Sequence, residues 1–146
     1  MDNQPLFHLA FPVINLDKTR EFYCNILGCS TGRESQRWID FDFFGHQLVA
    51  HLVNAKDHPA TTNNAVDGHA VPASHFGVIL DWQVFESFVV KLERSKIDFV
   101  IDPYLRFKGQ RGEQATLFIR DPSNNYLEFK AFRNIDMLFD KDIDNA

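Results

Sequence analysis

The stretch PLFHLAFPVINLDKTREFY, residues 5–23, decides the fold, because the chain runs through its pattern twice. Phe7, Leu9, Phe11 and Val13 alternate with His8, Ala10 and Pro12, the period-two signature of a strand with one buried face. Asn15 is suited to cap a helix, and Thr19, Phe22, Tyr23, Ile26 and Leu27 follow at helical spacing until Gly28 stops it. SHFGVILDWQVFESF, residues 74–88, starts again. Phe76, Val78 and Leu80 share one strand face and His75, Gly77 and Ile79 the other. Asp81 is then placed to cap a helix carrying Phe85, Phe88, Val89 and Leu92.

Working outward, RWIDFDFF and HQLVAHLV read as strands joined through Phe44, Gly45 and His46. KIDFVIDPYLRF, QATLFIR and YLEFKAF read as strands of the second half, with KGQRGE and DPSNN as turns. The chain is therefore expected to be α+β, a single domain of two tandem βαβββ modules. Module one spans about 6–53 and module two about 75–133, with a tail over 134–146. The polar stretch between them, about 54–74, is long for a compact domain, which suggests a functional flap or a linker.

Composition bounds the function. The 146 residues are 45% hydrophobic with fifteen phenylalanines, enough for a real core. Fifteen Lys and Arg against twenty Asp and Glu give a net charge of −5, which disfavours nucleic acid or an anionic membrane as partner. No apolar run is long enough to span a bilayer, and MDNQP has no export-signal character. Cys24 and Cys29 match neither a CxxC motif nor a disulfide framework, so the chain is expected in the cytoplasm with both thiols reduced.

In register, His8 matches His75, and VAHL matches YLEF, which sets His51 against Glu128. Each half thus offers one metal-capable side chain on its first strand and one on its last. A lone strand histidine is more often a satisfied core or edge residue than a ligand. A glutamate inside an apolar strand is less ordinary, because a buried carboxylate needs a partner. His8 and His75 point away from the bulky face, beside Ala10 and Gly77, small residues that leave room for a ligand. His51 reads as a fourth ligand or a neighbouring group. His46 reads as a turn residue, and His58 and His69 as solvent-exposed loop residues, although His69 could fold over the site.

The chain resembles the vicinal oxygen chelate superfamily of glyoxalases, fosfomycin and bleomycin resistance proteins and extradiol dioxygenases. The resemblance lies in FYCNILGC on the first helix, DPSNNYLEF near the end, and the His8 and His75 strands. It covers about Leu6 to Phe132, and is strongest toward small single-domain extradiol-dioxygenase-like members. It implies paired βαβββ modules forming a cup-shaped mixed sheet around a metal-binding cleft, with His8, His75 and Glu128 as metal ligands. Two imidazoles and a carboxylate on one face of an ion leave positions open for a substrate's neighbouring oxygens. Fe(II) is the expected metal, with Zn, Ni or Mn as alternatives.

The expected activity is dioxygenase-like cleavage of a small catechol-type substrate. His51 would be an acid–base group, and Tyr104 and Arg106 would anchor a phenolate or carboxylate. Gln114 and Thr116 are weaker candidates of the same kind. Trp38, Phe41 and Phe43 belong either to the core or to a flat apolar pocket. Well-known extradiol dioxygenases are often twice this length, and their acid–base residues have no firm match here. A glyoxalase-like lyase or isomerase using His51 as fourth ligand is one alternative, and a binding protein of the resistance type is another. A transferase acting on an antibiotic would need a thiol or nucleotide pocket, for which no motif is present. The partners expected are a small-molecule substrate and, through the apolar tail NIDMLF, a second copy in a homodimer.

Overall fold

The computed structural model describes residues 3–143, so Met1, Asp2 and the last three tail residues lie outside the described part. The chain divides into two compact units, one reaching Ala60 and including Asp121–Asn125, the other comprising Thr61–Arg120 and the chain from Tyr126 onward. Both follow the β-α-β-β-β path.

Unit 1 contains β1 (His8–Val13), α1 (Leu16–Glu21), β2 (Ser30–Glu34), β3 (Trp38–Phe43) and β4 (His46–Leu52). Its four-stranded sheet has the order β1-β4-β3-β2, with β1 parallel to β4 and the other pairs antiparallel. Asn15 caps α1 as its residue type predicts, its side chain accepting from Lys18 N–H. The helix then widens into one π turn, Phe22–Ile26, and Gly28 leaves it at φ 79°. The strand Ser30–Glu34 was not visible in the pattern, because all five of its residues are exposed on the sheet edge. Tyr23 is fully buried, its ring 5.0 Å from that of Phe41 and 5.7 Å from that of Phe11. Phe41 and Phe43 are core residues, whereas Trp38, on the opposite strand face, is half-buried beneath Arg33. Those three rings therefore do not line one pocket.

Residues 121–125 make a clip inside unit 1. Asp121 Oδ1 accepts from the backbone N–H groups of Ser123 and Asn125, and Oδ2 accepts from Tyr23 Oη and Asn125 Nδ2. Asn125 Nδ2 also donates to the Pro12 carbonyl, and Ser123 Oγ accepts from Ile14 N–H. FYCNILGC and DPSNN thus meet through Tyr23 and Asp121. Burial pushes the Asp121 carboxyl above its ordinary range, against the hydrogen bonds it accepts.

Unit 2 opens with a hairpin, β5 (Asn63–Val66) and β6 (His69–Pro72), within the stretch expected to be a loop. Its turn is Asp67–Gly68, both at positive φ, the two-residue connection that Asp-Gly favours. Then come β7 (Phe76–Ile79), α2 (Trp82–Arg94), β8 (Ile101–Arg106), β9 (Gln114–Arg120) and β10 (Tyr126–Phe132), in the sheet order β7-β10-β9-β8. Phe85, Phe88 and Leu92 form the buried stripe of α2, and Phe88 stacks at 4.6 Å on Phe129 of β10. Leu127, Phe129 and Ala131 therefore face the helix, and Glu128 and Lys130 the other side. Among the described residues no helix is long and apolar enough to cross a membrane.

Gly77 differs from expectation. A Cβ there would lie 1.6 Å from the Glu128 carbonyl oxygen, so its missing side chain admits the β10 backbone and not a ligand.

Candidate functional site

The polar face of unit 2 brings His75 and Glu128 together. Gly77 and Glu128 are register partners in the parallel β7–β10 pair, and His75, two residues before Gly77, immediately precedes β7. Nδ1 of His75 lies 2.7 Å from the Pro72 carbonyl oxygen, which can only accept, so Nδ1 carries the proton and donates it. Nε2 then faces Glu128 Oε1 at 3.2 Å. Glu128 Oε2 accepts from Thr116 Oγ1 at 2.6 Å and lies 3.8 Å from Lys130 Nζ. The hydrogen bond with Glu128 raises the His75 pKa, burial opposes it, and the Pro72 carbonyl adds to the rise. Burial alone would raise Glu128, but His75, Lys130 and Thr116 outweigh it and hold the carboxyl below its ordinary value.

This pair fits a cation. A bare Nε2 lone pair pointed at a carboxylate oxygen is repulsive unless a proton or a metal ion lies between them. Two donors each about 2.1 Å from an ion, at angles of about 90–109°, stand about 3.0–3.4 Å apart. The observed separation of 3.2 Å falls in that span. The bond to Pro72 also fixes the ring so that Nε2 is the free donor, the usual arrangement of a ligating histidine. Among the described residues no three His, Cys, Asp or Glu side chains gather into one metal-sized cluster.

His8 lies in unit 1, on the exposed start of β1, with Nδ1 2.8 Å from Gln47 Oε1. His51 is exposed on β4, paired with Pro12 and Trp38. The strand register revises its match to Glu128. Gly77 pairs with Glu128, and its counterpart Ala10 pairs with Val49. Val49, not His51, holds the place of Glu128 in unit 1, and His51 falls where unit 2 has Lys130, the partner of Ile79.

Tyr104 and Arg106 meet at Asp67, whose Oδ2 lies 3.0 Å from Tyr104 Oη and 2.5 Å from Arg106 Nε. Burial and the bond to Asp67 push the Tyr104 hydroxyl up to about 12. Burial also raises Asp67, but the bonds from Arg106 and Tyr104 prevail and lower it. His69 stacks on Tyr104 at 4.8 Å, and His58 Nε2 lies 3.0 Å from Asn125 Oδ1, so neither is a free loop histidine. His46 begins β4 and accepts the Phe7 N–H at Nδ1. Lys130 and Asp67 stand beside the predicted site residues without a motif of their own to mark them. The Asp-Gly pair between AV and HAV was a hairpin signal that could have located Asp67.

The family model described as the Glyoxalase/Bleomycin resistance protein/Dioxygenase superfamily matches residues 6–129. A glyoxalase/bleomycin resistance protein/dioxygenase from Alicyclobacillus acidocaldarius superposes with a TM-score of 0.78 at 35% identity, over 95% of this chain and 100% of that one. Two more distant structures share the fold. A lactoylglutathione lyase from Agrobacterium tumefaciens has a TM-score of 0.64 at 15% identity, over 96% and 99% of the two chains. A fosfomycin resistance protein from Listeria monocytogenes has 0.67 at 16% identity, over 92% and 97%. No curated protein matches the sequence.

Proposed function

Because the chain belongs to the glyoxalase/bleomycin resistance protein/dioxygenase superfamily, we propose that it is a divalent-metal-dependent enzyme that cleaves a small catechol-type substrate with oxygen. The observation that carries this is the His75–Glu128 pair, with Nδ1 tied to Pro72 and Nε2 left to share a cation with the carboxylate. His75 and Glu128 are two of the donors. His8, the position in unit 1 that repeats His75, is the third on that equivalence alone. A bound ion, with Fe(II) the first choice and Zn, Ni or Mn the alternatives, supplies Lewis acidity and open positions for two neighbouring substrate oxygens.

The rest falls to the chain's own side chains. Thr116 holds Oε2 of Glu128, which orients the carboxylate toward His75. Lys130 adds positive charge where a substrate would lose a proton. His51 is the proton acceptor. The register supports this over fourth-ligand duty, because Val49, at the place of Glu128, has no donor atom. Tyr104 stays protonated at neutral pH and binds substrate instead of moving a proton.

Among the described residues neither Cys24 nor Cys29 forms a disulfide, which suits a reducing cytoplasm. Phe139, 88% exposed, Leu6, 72%, and Phe7, 63%, offer apolar surface for a homodimer, checked by light scattering at micromolar concentration.

The test is metal analysis of protein purified without oxygen, followed by oxygen uptake with a panel of catechols. One equivalent of iron and oxygen consumption with at least one catechol are expected. Full metal content with no uptake on any catechol would remove the dioxygenase assignment and favour the lyase or isomerase alternative.

A further inference from the structure

The face of unit 2 that carries Glu128 holds a second polar cluster. Tyr104 and Arg106 are alternate residues of β8, so their side chains rise from the same face. Tyr104 pairs in register with Thr116, Thr116 with Lys130, and Thr116 bonds Glu128, which places all of them on one surface. The Tyr104 hydroxyl and Arg106 Nε converge on a single oxygen of Asp67. The side chains of Arg106 and Asp67 are each 19% exposed, so the contact is partly shielded from water at the surface.

Asp67 does not belong to the sheet. It sits at the tip of the β5–β6 hairpin at φ 50°, beside Gly68 at φ 78°. That ribbon has four residues per strand, and among the described residues neither strand pairs with a strand of another sheet. A two-stranded ribbon is marginal alone, so its seat depends on what the tip touches. In effect Asp67 is a carboxylate on a tether, delivered to an arginine and a phenol.

An arginine and a hydroxyl aimed together at a carboxylate oxygen are the donors that bind carboxylate ligands. We propose that Arg106 and Tyr104 form a carboxylate subsite, which Asp67 fills in the free protein and a carboxylate-bearing substrate takes by displacing it. The exchange is anion for anion, so the guanidinium is never left buried and unpaired. One strand separates β8 from β10 in the sheet, so their axes lie about 10 Å apart, on the scale of a monocyclic acid with its ring substituents. Resting on the metal-centred assignment for the other end of the substrate, this narrows the class to a small ring compound with vicinal oxygens at one end and a carboxylate at the other.

The test uses metal-free protein, with benzoate as probe and benzyl alcohol as its neutral counterpart, followed by amide NMR. Benzoate should shift the amides of Asp67, Gly68 and His69. It should bind Asp67→Asn about tenfold more tightly than wild type, because the internal competitor has lost its charge. Tyr104→Phe, which keeps the ring that stacks on His69, should weaken benzoate severalfold. Asp98→Asn, an exposed site of the same charge, should change nothing, and benzyl alcohol should ignore every substitution. Benzoate affinity indifferent to Asp67→Asn and Tyr104→Phe, absent from Asp67→Asn, or mirrored by benzyl alcohol or Asp98→Asn would overturn the subsite. Without metal in the tube, such a result leaves the His75–Glu128 assignment standing, and loss of that assignment leaves the benzoate result standing.

Discussion

The two units trace the same β-α-β-β-β path, yet their corresponding faces carry different chemistry. In unit 1 the first-strand histidine bonds Gln47, and the register place opposite Ala10 is the apolar Val49. In unit 2 the matching histidine faces a carboxylate, and the place opposite Gly77 is Glu128. A repeated backbone therefore does not imply a repeated site. The strand pairing places the residue, and a single side chain at one register step decides whether that place can hold a cation.

The largest effect is expected from the glycine that lets the strands of unit 2 approach. In Gly77→Ala the new methyl meets the Glu128 carbonyl oxygen at 1.6 Å, so β7 and β10 must part. A loss of about 3–5 kcal/mol in urea unfolding is expected, with the His75–Glu128 pair lost as well. Unit 1 already carries alanine at this point, and Ala10→Gly should cost only about 1 kcal/mol. Equal costs in the two units would mean that their strand pairs are not the counterparts described.

Next comes metal content. Glu128→Ala should remove stoichiometric metal, read by elemental analysis, because one imidazole of the pair is left without its carboxylate. Val49→Ala, at the same place in unit 1, should leave it intact. Metal retained in Glu128→Ala would end the comparison in its present form.

His51 sharpens the register. His51→Ala should keep its metal and lose turnover about a hundredfold, the ordinary scale for loss of a general base. If metal is lost instead, the side chain is a donor, and a four-ligand isomerase becomes the better account.

That register was the least legible feature of the sequence. Period-two alternation exposes a slip of one residue, because every side chain changes face, but a slip of two leaves each residue on its own side. Matching VAHL to YLEF put His51 on the right face and at the wrong step. The repeat itself, the Asn15 cap and the buried stripes of both helices were plain, since each rests on local spacing and residue type. Ser30–Glu34 was hidden because an exposed edge strand owes nothing to a buried face. The partnership of Asp67 with Tyr104 and Arg106 spans 37 and 39 residues, beyond the reach of any local pattern.

The smallest expected effect concerns that hairpin, which sets unit 2 apart. Asp67 titrates below its ordinary value: burial pushes it up, and the bonds from Arg106 and Tyr104 more than reverse this. A carboxyl with a depressed folded-state pKa adds stability above the unfolded value, about 3.9, and loses it as pH falls through the lower folded value. The hairpin should therefore stay seated through neutral and mildly acidic pH and loosen only below the ordinary carboxylate range. The carboxyl carbon of Asp67, followed by NMR, should titrate below that range in the wild type and move back toward it in Arg106→Gln. A wild-type midpoint at or above about 3.9 would show that the guanidinium does not govern the carboxylate. The seat of the hairpin would then have to rest on the stacking of His69 against Tyr104.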